Sequence, residues 1–156
     1  MEASEIPEPG ELLAQFSLEN SDNYALLRQH SHLIASDAGM HPDQVGELML
    51  AVGEAASNAI KHAVGGSATI YRATGRIIIR ISDHGPGIRP EDLPATVLQA
   101  GFSTKVSLGM GYTLMLKLVD TVWLATAPTG TVVQIEKWLQ PEAHKMDPLQ
   151  ALLERF

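Results

Sequence analysis

ELMLAVGEAASNAIKH, residues 47–62, reads as one amphipathic helix. Val45, Leu48, Met49, Val52, Ala56, Ala59, Ile60 and Ala63 recur at helical spacing and give one apolar face. Glu47, Glu54, Asn58, Lys61 and His62 fall on the other. Glu54 and Asn58 are four apart, so their side chains lie one above the other. A carboxylate one turn from a carboxamide can serve a phosphate twice, by activating a hydroxyl or water and by holding Mg²⁺. Read alone, this is the solvated polar stripe of an ordinary surface helix. Leu50 and Ala51 fall on the same side, and small residues (Ala51, Ala55, Ser57, Ala59) crowd it. That composition predicts a face looking into a cleft.

Working outward, the 156-residue chain has the length of one domain. With 45% hydrophobic and 19% charged residues it has an ordinary globular profile and material for a core. The N-terminus is acidic and carries no signal-peptide pattern, and no apolar run approaches a membrane span, so a cytoplasmic location is expected. Zero cysteines exclude disulfides, thiolate metal sites and cysteine catalysis. A net charge of −7 counts against nucleic acid or an anionic membrane as the main partner. An anionic ligand then needs a local pocket of amides and a few cations.

Before the long helix, residues 1–10 are rich in Pro and Glu and predict a loose tail. Glu11–Ser17 predicts a first strand. Asp22–Ala38 predicts a helix capped by Ser21 or Asp22, with Tyr24, Leu27, His30 or Ser31, and Ile34 along one side and Gly39 closing it. His41-Pro42-Asp43 opens the long helix and Gly65-Gly66 ends it. After it, Ser67–Ala73 and Arg76–Ser82 predict a hairpin across Thr74-Gly75, with Ile77, Ile79 and Ile81 on the buried side and Arg76 and Arg80 opposite. A short helix follows from Pro90 to about Ala100, then a polar, glycine-bearing loop over 101–111 and a helix over Tyr112–Val119. Thr121–Thr126 and Thr131–Leu139 predict a second hairpin. This order is α+β, without the regular βαβ alternation of doubly wound folds.

Three further stretches carry chemistry. Asp83-His84-Gly85-Pro86-Gly87 follows a strand, and an acid there with two glycines lets backbone approach a flat ligand closely. An ionised Asp only accepts hydrogen bonds and so suits an exocyclic amine such as adenine's; the same residues also make a plain strand-ending turn. Gly109-Met110-Gly111 opens the Tyr112 helix, where free N–H groups and the positive helix end form a phosphate seat. It is neither a Walker loop nor a dinucleotide fingerprint, since Leu114 stands where the third glycine belongs. Ser103, Thr104 and Lys105 lie just upstream, able to fold over phosphates or to form a surface loop.

In this fixed order (E-x-x-x-N on a helix, D-x-G-x-G after a strand, G-x-G into a helix, Gly130-Thr131 before a last strand) the chain resembles the GHKL, or Bergerat-fold, ATP-binding superfamily. Within it, the chain looks like the anti-sigma-factor serine/threonine kinases of the RsbW and RsbT type. EAASNAIKHA, SDHGPGI and GMGYTLMLKLVD carry the likeness, which extends over roughly residues 11–138. The resemblance implies a two-layer α/β sandwich with a mixed, mostly antiparallel sheet and helices on one face. It implies one ATP-binding kinase domain over 11–139, leaving 140–156 as an extension. It also implies ATP and Mg²⁺ as cofactors. Glu54 would be the general base and Asn58 the Mg²⁺ ligand. Asp83 would bind the adenine amine with support from Thr131, while Gly85, Gly87 and Ile88 shape the nucleotide pocket. Gly109, Met110 and Gly111 would offer phosphate amides beneath a lid that includes Ser103, Thr104 and Lys105. His62 would cap or orient the Asn58 end, and His84 would line the pocket edge.

The implied enzyme phosphorylates a STAS-domain antagonist of an anti-sigma factor and switches partners, with a sigma factor or another regulator as a second partner and a homodimer as a permitted assembly. Retained Glu54 favours this over the alternative, an ATP-binding adaptor that gates a partner with slow transfer or none. A detached histidine-kinase catalytic domain is disfavoured by the short lid. His30 and His32 are not read as a phosphoacceptor, since their segment belongs to the domain's own first helix, and no histidine pair has metal-site spacing. In the extension, Asp147-Pro148 predicts a short helix with Leu149, Leu152, Leu153 and Phe156 on one stripe, packing on the chain's own core or on a partner.

Overall fold

The computed structural model describes residues 9–19, 21–62, 66–85, 115 and 117–140, with the backbone course alone for Ser21 and residues 58–62. Most of the expected tail, the 90–100 helix, the 101–111 loop and the C-terminal helix lie outside the described residues. Of the helix expected over Tyr112–Val119, Met115, Lys117 and Leu118 are helical.

Helix α1 spans Ser21–Asp37 and has Asp22 in its first turn, where a carboxylate offsets the unsatisfied N–H groups. It closes as its glycine predicts: Gly39 has φ +91°, and the Met40 N–H donates to the Ala35 carbonyl at 3.0 Å. Helix α2 spans Pro42–His62 with proline as its first residue. Its cap is His41, whose Nδ1 accepts the Asp43 N–H at 3.2 Å. An imidazole replaces the usual hydroxyl or carboxylate in that role.

The strands are β1 (Glu11–Ser17), β2 (Gly66–Ala73), β3 (Arg76–Asp83), β4 (Thr121–Ala127) and β5 (Gly130–Trp138), in sheet order β1-β2-β3-β5-β4. All four pairings are antiparallel, so the mixed component is not found among the described residues. The β2–β3 hairpin turns at Thr74-Gly75, with Gly75 at φ +72°. The β4–β5 hairpin joins it through β5, so the last described strand lies inside the sheet between β3 and β4.

Both described helices cover one side of this sheet, giving the two-layer sandwich. Ile70, Ile77, Ile79, Val122 and Ile135 meet Leu27 of α1 and Leu48 and Val52 of α2 in a single core. Each such side chain contributes about 1.5–3 kcal/mol on full burial. In α1 the buried position is Ser31, while His30 is exposed and sets its ring edge-on to Phe16 of β1 at 5.0 Å.

Two expectations for α2 are corrected. Ala51 and Ala55 sit in the core instead of on the polar face, because α2 packs against both α1 and the sheet and buries a wider arc than its large residues mark. Leu50 is 59% exposed, so that part of the polar face looks at water and not into a cleft. A third correction concerns β3: Ile78 is fully buried although it points away from the helices, beside Arg76 and Arg80.

Candidate functional site

The sheet brings its chemistry to one end. Strand β3 finishes at Asp83, which lies opposite Thr131 of β5 and Gly66 of β2. Opposed residues in an antiparallel pair point to the same face, which for Asp83 and Thr131 is the helix-covered side. One Asp83 carboxylate oxygen accepts the Gly85 N–H at 2.9 Å, which fixes the rotamer of the acid as the chain leaves the strand. Thr131 is buried, and its hydroxyl meets that of Thr126 in β4 at 2.8 Å.

Glycines hold the strands tight around the acid. A Cβ at Gly66 would lie 2.8 Å from the Ser82 carbonyl oxygen, and one at Gly130 would overlap the carbonyl oxygen of Asp83. Close backbone approach on both sides of the strand end therefore requires residues without side chains.

Helix α2 approaches this end along its axis. Its start is tied to the far end of β5, where the His41 N–H donates to the Leu139 carbonyl at 3.0 Å. Next, Lys137 of β5 reaches Glu47 at 3.3 Å and also donates to the Leu118 carbonyl. The helix thus runs antiparallel to β5. From Glu47 it climbs about 10 Å to Glu54 and about 16 Å to Asn58. Strand β5 covers about 20 Å from Lys137 back to Thr131. Hence the last turns of α2 come level with Asp83 and Thr131.

Glu54 is half-buried and has no hydrogen-bond or ion-pair partner among the described residues. Asn58 and His62 belong to the last turns of the helix by backbone alone. Gly85 is buried beside Asp83, and His84 is exposed. Gly87, Ile88, Ser103, Thr104, Lys105, Gly109, Met110 and Gly111 lie outside the described residues. Among the described residues no group of three or more His, Asp or Glu stands ready to hold a metal ion. None of their helices is long and apolar enough to cross a membrane.

Sequence reasoning missed Thr126, Gly66 and the Lys137–Glu47 tie. The first two required the strand register. Lys137 had a visible signal, an isolated lysine within the apolar strand TVVQIEKW.

A single sheet with helices on one side, and a fixed acid at the end of an inner strand, is the arrangement of the histidine-kinase-like, or GHKL, ATP-binding fold. The chain belongs to the histidine kinase-like ATPase domain family, whose profile matches residues 17–137. No curated protein matches the chain. Among solved structures, the histidine kinase domain of the Erythrobacter litoralis EL346 blue-light activated histidine kinase aligns at 19% identity and TM-score 0.49, over 76% of this chain and 60% of that one. The catalytic domain of the histidine kinase ThkA aligns at 15% identity and TM-score 0.48, over 85% and 98%. The Acinetobacter baumannii histidine kinase AdeS aligns at 16% identity and TM-score 0.46, over 82% and 68%.

Proposed function

We propose that this chain is an ATP-dependent protein serine/threonine kinase of the anti-sigma-factor type, whose substrate is a STAS-domain antagonist. The observation that carries the reading is Glu54, a half-buried carboxylate without a described partner, on the helix that runs toward the Asp83 end of the sheet. A domain that only held nucleotide would not need a base there. Asp83 accepts the exocyclic amine of adenine, held for that purpose by Gly85 and supported by Thr131.

Hard oxygen donors at Glu54 and Asn58, one turn apart, are the kind Mg²⁺ takes. Asn58 would hold the ion in this reading, with His62 orienting that end of the helix, and the ion would supply charge neutralisation at the phosphates. Glu54 removes the proton of the substrate hydroxyl as its oxygen bonds to the γ-phosphorus. The bond from that phosphorus to the β–γ bridging oxygen breaks, and ADP leaves with the electron pair. Lys105 and the Gly109-Met110-Gly111 amides meet the phosphates, with Ser103 and Thr104 in the lid above them.

The test is Glu54→Gln, assayed for ATP binding and for phosphate transfer to a purified STAS-domain protein. Retained binding with transfer abolished is the expected result. Transfer at the wild-type rate would remove Glu54 from the role of base. Unchanged regulation in cells expressing the variant would favour the gating adaptor over the kinase.

A further inference from the structure

The side of the sheet turned away from α1 and α2 is not the solvated face that an antiparallel sheet commonly shows there. Ile78 and Gln134 on it are 0% exposed, and Val132 and Ala125 form a small apolar cluster with Trp123, separate from the main core. Several of its polar groups are paired with one another. Arg80 donates to Gln134 at 2.9 Å, Gln134 and Trp123 both donate to Glu136, at 3.2 and 2.9 Å, and Arg76 pairs with Glu136 at 3.0 Å. The Arg76 guanidinium also lies over the Trp138 ring, 5.5 Å from its centroid. Buried side chains linked in a polar network fit a covered layer better than a surface in water.

The chain leaves β5 at the end of the sheet, where the Leu139 carbonyl accepts the His41 N–H of the α1–α2 turn. Trp138, the last residue of β5, points to the outer face, and the Gln140 amide donates to the Gly39 carbonyl at the sheet's end. Residues 141–156 follow, with Leu149, Leu152, Leu153 and Phe156 at i, i+3, i+4 and i+7. The stretch from Gln140 to Leu149 reaches up to about 30 Å when extended. A five-stranded sheet is about 20 Å across, so the stripe can reach any strand.

We propose that residues 141–156 fold back as a short helix over the outer face of the sheet, with the leucine–phenylalanine stripe seated on Ile78, Val132 and Trp123. The domain is then a three-layer structure whose third layer comes from its own C-terminal extension. This holds or fails independently of the nucleotide reading.

Both tryptophans of the chain, Trp123 and Trp138, lie on this face, and the chain has no cysteine. A nitroxide on full-length Gln150→Cys, beside the stripe but off it, therefore probes the contact directly. The expected result is loss of most of the tryptophan emission relative to a diamagnetic label, unchanged on dilution. Undiminished emission would overturn the proposal. Quenching that fades on dilution, or that appears on mixing labelled and unlabelled chains, would also overturn it, by making a second copy the cover. As a second arm, Leu152→Glu with Phe156→Glu should red-shift the emission while far-UV circular dichroism stays unchanged. An unshifted spectrum from the folded variant would count against the contact.

Discussion

Asp83 is set by its neighbours more than by its own side chain. Gly85 holds one carboxylate oxygen, and glycines on both flanking strands let the backbone close in. Asp83→Asn keeps an oxygen for the Gly85 N–H and loses the charge. It should spare the fold and weaken ATP binding by about 1.5–3 kcal/mol, at least tenfold, measured by calorimetric titration. Gly130→Ala should do more harm to the fold, since the new methyl overlaps the Asp83 carbonyl and only backbone movement relieves it. A loss of about 2 kcal/mol in urea unfolding is expected, with weakened ATP binding alongside. The position of Asp83 at a strand end was legible from a D-x-G-x-G run after a strand. The need for Gly66 was not, because it arises from a register that pairs it with Asp83 across the β2–β3 hairpin.

At the scale of elements, periodicity located the described strands and the two helices α1 and α2 to within a residue or two, because alternating isoleucines in β3 and a repeating apolar face in α2 are strong local signals. What periodicity could not supply was the width of a buried arc. Ala51 and Ala55 look neutral in sequence and are buried because α2 has neighbours on two sides. Ile78 breaks the simple in-and-out reading of β3: it is fully buried although it shares a face with Arg76 and Arg80.

The Lys137–Glu47 pair shows how elements are fastened. The lysine is 2% exposed, whereas the glutamate side chain is 37% exposed. Glu47→Leu leaves a buried ammonium without its counter-charge and should cost about 3 kcal/mol. Lys137→Met leaves a carboxylate that still reaches water and should cost about 1–2 kcal/mol, mostly for the unpaired Leu118 carbonyl. Thermal unfolding of both variants and of the double variant checks this. The double variant should be more stable than Glu47→Leu alone.

Considering the molecule as a whole, nucleotide binding should raise its melting temperature. At a free ATP concentration about a hundred times the dissociation constant, the gain is about 2.7 kcal/mol, worth several degrees for a chain this size. Scanning calorimetry with and without Mg²⁺-ATP measures it, and Asp83→Asn should show a much smaller shift at the same concentration. The net charge of −7 adds a second expectation: salt should affect this shift only modestly, since the ligand is held in a local pocket and not on a charged surface.

The position of β5 also governs how the chain is made. Strands β1, β2 and β3 are complete once Asp83 has been synthesised, yet the second edge of β3 stays bare until Gly130–Trp138 arrives. That edge belongs to a strand with four isoleucines in five positions from Ile77 to Ile81, an invitation to pair with the wrong chain. A nascent chain must carry it through translation of the whole segment from His84 to Gly130. Slow codons or stalling within that segment would prolong the hazard, whereas a holdase chaperone acting on the half-made domain would shorten it.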